Sequence, residues 1–280
     1  MSDMREEVHV VDDGYAIHLA TWPASSQRKG RIVVLHGVQS HGGWYHLLGR
    51  TLASAGYETF FPDRRGSGAN QVDRGHAPSA RRLILDIVQL LEKVRREKRE
   101  CPLCLVGISW GGKLAVITAA RHPDLVNSFA LVCPGLRPRV DVSRREKLGV
   151  AWAFLTSPKK PFPIPLSDPA LFTENPEGQA FIASDPLSLR LGTAGLLASS
   201  RFIDRQVRKS LPQIRQPALL MLAGRDRIIN NDQTREDFRR IASTDQTVIT
   251  YPDAHHTLEF EPDPQRYAHD LIAWLEGARP

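Results

Sequence analysis

The sequence predicts an open, mostly parallel α/β sheet covered by helices, with one inserted segment over the carboxyl ends of its strands. Three observations carry that prediction. Eight short apolar, β-branched runs recur along the chain. Amphipathic helical patterns separate most of them, as strand–helix alternation in a parallel sheet requires. Residues 136–215 break this rhythm, containing no convincing buried strand.

EVHVV (7–11) and YAIHLATW (15–22) flank Asp12-Asp13-Gly14, a turn signal, and form a starting hairpin. RIVVLHG (31–37), YETFFPD (57–63), LCLVGIS (103–109), SFALVCP (128–134), PALLMLAG (217–224) and QTVITYP (246–252) follow. Such near-continuous apolar runs suit strands buried on both faces. The clearest helix covers 80–99, where Leu83, Ile84, Ile87, Val88, Leu91 and Val94 recur at helical spacing before the solvated charge run KVRREKRE. Further helices are expected at about 43–55, 110–121, 231–242 and 264–276. In the break, polar patches alternate with PFPIPL (161–166) and short helical stretches. The division expected is a core of residues 1–135 and 216–280 and an inserted cap of 136–215, lying where open α/β sheets place their ligands.

The 280 residues are 41% hydrophobic and 24% charged, an ordinary balance for a globular chain that needs no disulfide staples. Three cysteines, an odd and low number, point to a reducing compartment. Cys101 and Cys104 make a C-x-x-C, but a zinc site needs a second pair and none exists. The N-terminal stretch lacks the apolar run of a secretory signal, and no segment approaches the ~20 apolar residues of a membrane span. A cytoplasmic protein is expected. Residues 136–215 hold thirteen Lys/Arg against seven Asp/Glu, which accounts for the whole net charge of +6. Such an excess suits a solvated surface or transient contact of the cap with anionic lipid. No nucleic-acid motif accompanies it, and oligomeric state is not readable.

Gly107-Ile108-Ser109-Trp110-Gly111 is a G-x-S-x-G between an apolar strand and a helix. Glycines let backbone pass close to the serine at a tight turn, and the strained turn pushes the hydroxyl out above the sheet. A serine so placed takes its partners in the chain order nucleophile, acid, histidine. Of ten histidines, that order selects His255 and His256 in YPDAHHTLEF. The acid should follow a strand, and Asp226 in MLAGRDRIIN does so, with Asp232 and Asp253 as alternatives. An oxyanion hole needs two N–H donors. Trp110, after the nucleophile, supplies one, and Val38 in the loop after the third strand supplies the other. His36 is expected to hold that loop.

These motifs together resemble the α/β-hydrolases of the monoacylglycerol lipase and lysophospholipase type, through nearly the whole chain. HGVQSHGGWY (36–45) is similar to that family's H-G-x-x-x-H-x-G-x-Y loop. DRRGSGAN (63–70) is similar to its D-x-R-G-x-G-x-S turn, with Asn70 in place of the serine. SDPLSLR (184–190) resembles the D-P-L segment of its cap, and AGRDRI (223–228) its acid motif. YPDAHHTLEFE (251–261) resembles its Y-x-G-A-x-H, a register that makes His256 the base, although Asp253 stands where the family has glycine. The resemblance implies a serine esterase or lipase acting through an acyl-enzyme, with no metal and no cofactor, on a small-molecule or lipid ester.

Trp152, Phe154, Phe162, Phe172 and Leu196 are the cap residues expected to meet the acyl chain, although gluing the cap to the core would explain such residues equally well. Three other readings stand beside this one: a small-ester carboxylesterase, a prolyl-iminopeptidase-like peptidase, and a non-catalytic ligand-binding module. The peptidase needs acidic cap groups for a free amino terminus, and this cap is net basic. Glu174, Glu177 and Asp185 are the residues that could still serve it.

Overall fold

Apolar runs of five to seven residues are too short to bury a helix face but long enough to cross a sheet. In the computed structural model, which describes residues 4–97 and 100–277, they pair into one eight-stranded sheet. Its strands are β1 (Arg5–Val10), β2 (Ala16–Trp22), β3 (Gly30–Leu35), β4 (Tyr57–Pro62), β5 (Leu103–Ile108) and β6 (Ser128–Val132), then β9 (Ala218–Ala223) and β10 (Gln246–Tyr251). The order across the sheet is β1-β2-β4-β3-β5-β6-β9-β10. β1 and β2 run antiparallel, as do β2 and β4, and every other pair is parallel. Burial follows position. Every residue of β3, β5 and β9 is buried, whereas the edge strands β1 and β10 expose alternate or most residues.

The helices α1 (His46–Ser54), α2 (Ala80–Glu97), α3 (Gly111–Arg121), α7 (Asn231–Phe238) and α8 (Gln265–Leu275) flank the sheet. All six apolar positions singled out in α2 are buried. The charge run after them reaches residues 98–99, which lie outside the described residues. Most boundaries shift by a residue or two, and three of the shifts have a local cause. β1 starts and ends earlier, because Val11 leaves the ladder to close the turn, donating to the Tyr15 carbonyl (3.0 Å) and accepting from Gly14 (2.9 Å). The first helix opens as a 3-10 turn over Gly42–Tyr45, capped by His41, since paired glycines weaken an α start. α7 stops at Phe238, where the chain turns to bury Ile241.

Residues 136–215 contribute no strand to the main sheet. They fold as α4 (Arg144–Thr156), α5 (Pro176–Ser184) and α6 (Ala194–Ser210), with a short ribbon of β7 (Pro161–Pro163) and β8 (Leu191–Thr193). Each helix starts at a side chain that accepts an otherwise orphaned amide: Ser143 with Glu146 in a capping box, Asn175 before Pro176, and Thr193.

Behind β4 the turn of residues 63–70 is set by charge. Arg65 grips Asp86 of α2 with two hydrogen bonds (2.8 and 3.0 Å), reaches Asp13 (2.9 Å), and lies 4.0 Å from the centre of the Tyr15 ring. Burial alone would lower the Arg65 pKa, but hydrogen bonds to Asp86 and Asp13 outweigh it and raise it. Asp86→Ala leaves this buried guanidinium without its main partner and is expected to cost about 3–5 kcal/mol. Urea unfolding of the variant beside wild type measures it, and an unchanged midpoint contradicts the prediction.

Candidate active site

Ser109 is one of three non-glycine residues with positive φ among the described residues, at +51°, on the turn between β5 and α3. That backbone is strained for an L residue. It persists because the turn is over-determined. The Ser109 amide donates to the Val132 carbonyl (2.9 Å), and the Ser109 carbonyl accepts from Gly112 (3.0 Å) and Gly135 (2.7 Å). Glycine on both sides is compulsory. A Cβ on Gly107 would lie 2.6 Å from the Gly112 Cα, and one on Gly111 would sit on the Leu35 carbonyl oxygen.

His256, in the loop after β10, places its Nε2 2.9 Å from the Ser109 Oγ and its Nδ1 2.7 Å from the Asp226 Oδ2. An ionised carboxylate only accepts, so Nδ1 carries the proton and Nε2 is free to accept the serine's. Asp226 is fixed in turn: its Oδ1 accepts from the amides of Ile228 (2.8 Å) and Ile229 (2.9 Å), leaving Oδ2 for the ring. Asp226 and His256 are both buried. The alternatives point elsewhere. His255 lies between Glu174 (3.2 Å) and Glu261 (3.3 Å), Asp232 pairs with Arg235 (3.3 Å), and Asp253 with Arg225 (2.8 Å).

Val38 and Trp110 line the same cavity as Ser109. Among the described residues neither amide donates to a protein acceptor. The loop carrying Val38 hangs on His36, whose Nδ1–H donates to the Gly37 carbonyl (2.8 Å) while its Nε2 accepts from the Arg64 amide (2.8 Å). The second bond needs a neutral ring, since a protonated Nε2 cannot accept. Burial first, and the Arg64 charge second, lower the His36 pKa to about 3. Arg64 is a residue the motif reading passed over. Its guanidinium donates to the carbonyls of Gly37 (3.0 Å) and Val38 (2.9 Å) and lies 4.9 Å from the centre of the Trp110 ring. The one signal available was its place beside Asp63 in the DRRGSG turn.

A cavity of about 540 Å³ opens from Ser109 between the sheet and residues 136–215. Val150, Phe154, Ile164, Leu196 and Leu197 make much of its wall. Of the five cap residues expected to meet substrate, Phe154 and Leu196 are there. Trp152, Phe162 and Phe172 are not. Trp152 is 70% exposed on α4. Phe162 sits in the β7–β8 ribbon, and Phe172 is buried edge-on against His256 and Trp44. Apolar spacing cannot separate residues facing a cavity from those facing solvent or core. Carboxylates in the wall are paired, Asp141 with Lys147 (2.5 Å) and Asp204 with Lys113 (2.6 Å).

A buried polar clamp holds the inserted segment to the loop after β3. The Asp185 Oδ2 accepts from Trp44 Nε1 (2.8 Å) and Ser188 Oγ (2.8 Å) and lies 3.1 Å from His41 Nε2. Beside it Leu189 donates to the Gln39 carbonyl (2.8 Å). Asp185 is therefore spent on structure and faces no ligand.

The sheet order, the strained serine turn and the Ser–His–Asp geometry define an α/β-hydrolase. A family model described as serine aminopeptidase, S33, matches residues 26–263, and the chain belongs to that family. It is 25% identical to a monoacylglycerol lipase of Mycolicibacterium smegmatis, over 94% of this chain and 93% of that one. It is 27% identical to the human monoglyceride lipase, over 90% of this chain and 84% of that one. Among solved structures, a monoacylglycerol lipase of Paleococcus ferrophilus shares the fold with a TM-score of 0.83 at 23% identity, covering 94% of this chain and 99% of that one. A soluble variant of the Saccharomyces cerevisiae monoglyceride lipase, bound to a substrate analogue, gives 0.85 at 19% identity, covering 100% and 96%.

The depressed His36 pKa fixes the sign of an acid effect. Above about pH 6.5 the ring is neutral folded or unfolded, while between 6.5 and about 3 only the unfolded chain takes up the proton. Stability therefore falls as pH falls through that window, by at most about 1.4 kcal/mol per pH unit from this group. Melting temperatures from pH 7.5 to 5 should decline less steeply in His36→Gln than in wild type. Parallel slopes would remove His36 as the cause.

Proposed function

We propose that the chain is a serine carboxylic-ester hydrolase that works through an acyl-enzyme on monoacylglycerol-like or other medium- to long-chain esters. One observation carries the reading: the Ser109–His256–Asp226 hydrogen-bond chain ends at the mouth of an apolar cavity of about 540 Å³, a volume that suits an acyl chain. The relatives named as monoacylglycerol and monoglyceride lipases support it.

In this reading His256 removes the Ser109 proton as the oxygen attacks the ester carbonyl, and Asp226 stabilises the imidazolium that forms. The amides of Val38 and Trp110 receive the oxyanion. As the tetrahedral adduct collapses, His256 returns the proton to the departing alcohol. A water deprotonated by the same ring then attacks the acyl-enzyme, and the second collapse restores the serine hydroxyl and releases the acid. Residues 136–215 act as the cap on the core of 1–135 and 216–280, with Phe154 and Leu196 against the acyl chain.

The aminopeptidase description of the family raises the peptidase reading again. A free amino terminus needs an unpaired carboxylate near the serine. Asp141 and Asp204 are each bound to a lysine, Asp185 is locked in the clamp, and Glu174 and Glu177 line a different cleft beside His255. The ester reading is favoured.

α4 supports a contact with lipid surfaces. Leu148, Trp152 and Leu155 fall on one helical face and are 73%, 70% and 78% exposed, beside Arg144 and Arg145. Val150, Ala151 and Phe154 of the same helix line the cavity, so a helix lying on a membrane would hold the mouth close to its substrate.

Hydrolysis of p-nitrophenyl esters from acetate to palmitate tests the reaction. Activity should peak at medium or long chains and fall by at least about 10³-fold in Ser109→Ala. Activity confined to acetate and butyrate would replace the lipase reading with a small-ester esterase. Leu148→Ser/Trp152→Ser/Leu155→Ser should slow turnover of esters embedded in anionic vesicles by about tenfold and leave a soluble ester unaffected. Equal rates on vesicles would dismiss the membrane contact.

A further inference from the structure

Arg64 has surroundings that packing does not explain. Its Nε is enclosed without a hydrogen-bond partner, and burial lowers its pKa to about 10. No carboxylate lies within ion-pair distance of its guanidinium among the described residues. The contrast is its neighbour Arg65, held by Asp86 and Asp13. A partly buried cation with no paired carboxylate, its charge offset only at longer range by Asp63, is costly, and such groups persist where the charge or its geometry has a use.

What Arg64 touches states the use. Its two Nη groups hold the carbonyls of Gly37 and Val38 (3.0 and 2.9 Å), and the His36 Nδ1–H holds the Gly37 carbonyl from a second direction (2.8 Å). In a trans peptide the C=O and the next N–H point in opposite directions. Fixing the Gly37 carbonyl toward Arg64 and His36 therefore aims the Val38 N–H the other way, into the cavity that holds Ser109. The same guanidinium lies over the ring of Trp110, whose backbone N–H is the second donor. One side chain braces both halves of the oxyanion hole.

We propose that Arg64 is the positioning residue of the oxyanion hole, orienting the Val38 amide through the Gly37 and Val38 carbonyls and placing a positive charge behind the developing oxyanion. The physical reason is preorganisation: donors already aimed at the transition state need not reorganise during reaction, and an enclosed charge acts through a low dielectric. The inference rests on the serine-hydrolase reading above.

The test compares wild type, Arg64→Met, Arg64→Lys and Ser109→Ala on a soluble p-nitrophenyl ester. Inhibition by an alkyl trifluoromethyl ketone, which forms a tetrahedral adduct on the serine, is measured beside inhibition by the corresponding fatty acid. Arg64→Met is expected to lower kcat about 10²-fold with KM within about threefold, and to weaken the ketone in proportion while leaving the fatty acid unchanged. Arg64→Lys should recover part of kcat, since it restores the charge but not the two-carbonyl grip. A change in KM alone, or a ketone affinity that stays at the wild-type value, overturns the proposal. If Arg64→Met does not fold, Arg64→Lys decides: a wild-type kcat there overturns it, and a reduced kcat with weakened ketone binding supports it. A wild type that neither hydrolyses the ester nor is inhibited by the ketone would sink the serine-hydrolase reading instead, a result distinct from active wild type with indifferent Arg64 variants.

Discussion

Because β3 pairs in parallel with β5, from Arg31↔Leu103 to Leu35↔Gly107, the two chains leave the sheet side by side at the same edge. After β3 the chain turns to β4 on one side, and after β4 it crosses back to β5 on the other. The crevice opens where the connections diverge, as it must in any sheet of this kind. What leaves β3 is His36-Gly37-Val38, and what leaves β5 is Ser109-Trp110. The close fit is visible in Gly37, where a Cβ would lie 3.4 Å from the Ser109 Cβ. β9 and β10 then deliver Asp226 and His256 to the same edge. Ser109, Asp226, His256 and the amides of Val38 and Trp110 thus come from four loops whose spacing is set by strand pairing, with rigid ladders behind each.

The stored strain of the serine turn is tolerated for the same reason. A positive φ at Ser109 would relax in a free loop, but three backbone hydrogen bonds and two glycine contacts leave no room to do so. Cys133, on the next strand's exit, also has positive φ, at +42°, and its amide donates to the Met221 carbonyl of β9 (2.8 Å). The carboxyl edge of the sheet is consequently the place where backbone is held away from its preferred angles. The core beneath, fully buried in β3, β5 and β9, resists the distortion.

The inserted segment solves a different problem. An acyl chain must leave water without the cavity collapsing on itself, so apolar residues have to face inward while the segment is held by something else. Polar contacts share that holding with a buried apolar set, among them Phe172, Ile182, Leu189 and Ile203, that joins the core. Asp185 gathers Trp44, His41 and Ser188, and Thr193 both caps α6 and meets the His76 Nδ1 (2.9 Å). Buried networks of this type fix one arrangement because each member left unpaired would be costly. Leu196, buried in the core, and Phe154 also line the cavity, while the apolar face of α4 is left to solvent.

The eight strands, the elbow and the partner residues were legible because each rests on local chemistry. Apolar β-branched runs, glycines where backbone must pass closely, and a fixed order of serine, acid and histidine leave their mark in consecutive residues. His255 and His256 were harder, since neighbouring residues on an irregular loop point apart by angles that spacing does not encode. The motif register named His256, and the structure places it between Ser109 and Asp226 while His255 turns to Glu174 and Glu261. Trp152, Phe162 and Phe172 show the limit more sharply, because an aromatic residue reads the same whether it meets ligand, core or solvent. Sequence by itself determined the strands and the candidate serine, acid and histidine pair, all properties of neighbours along the chain. Only tertiary structure decided which side chains of residues 136–215 face the cavity and that Arg64 binds the Gly37 and Val38 carbonyls, because those depend on where separate loops converge in space.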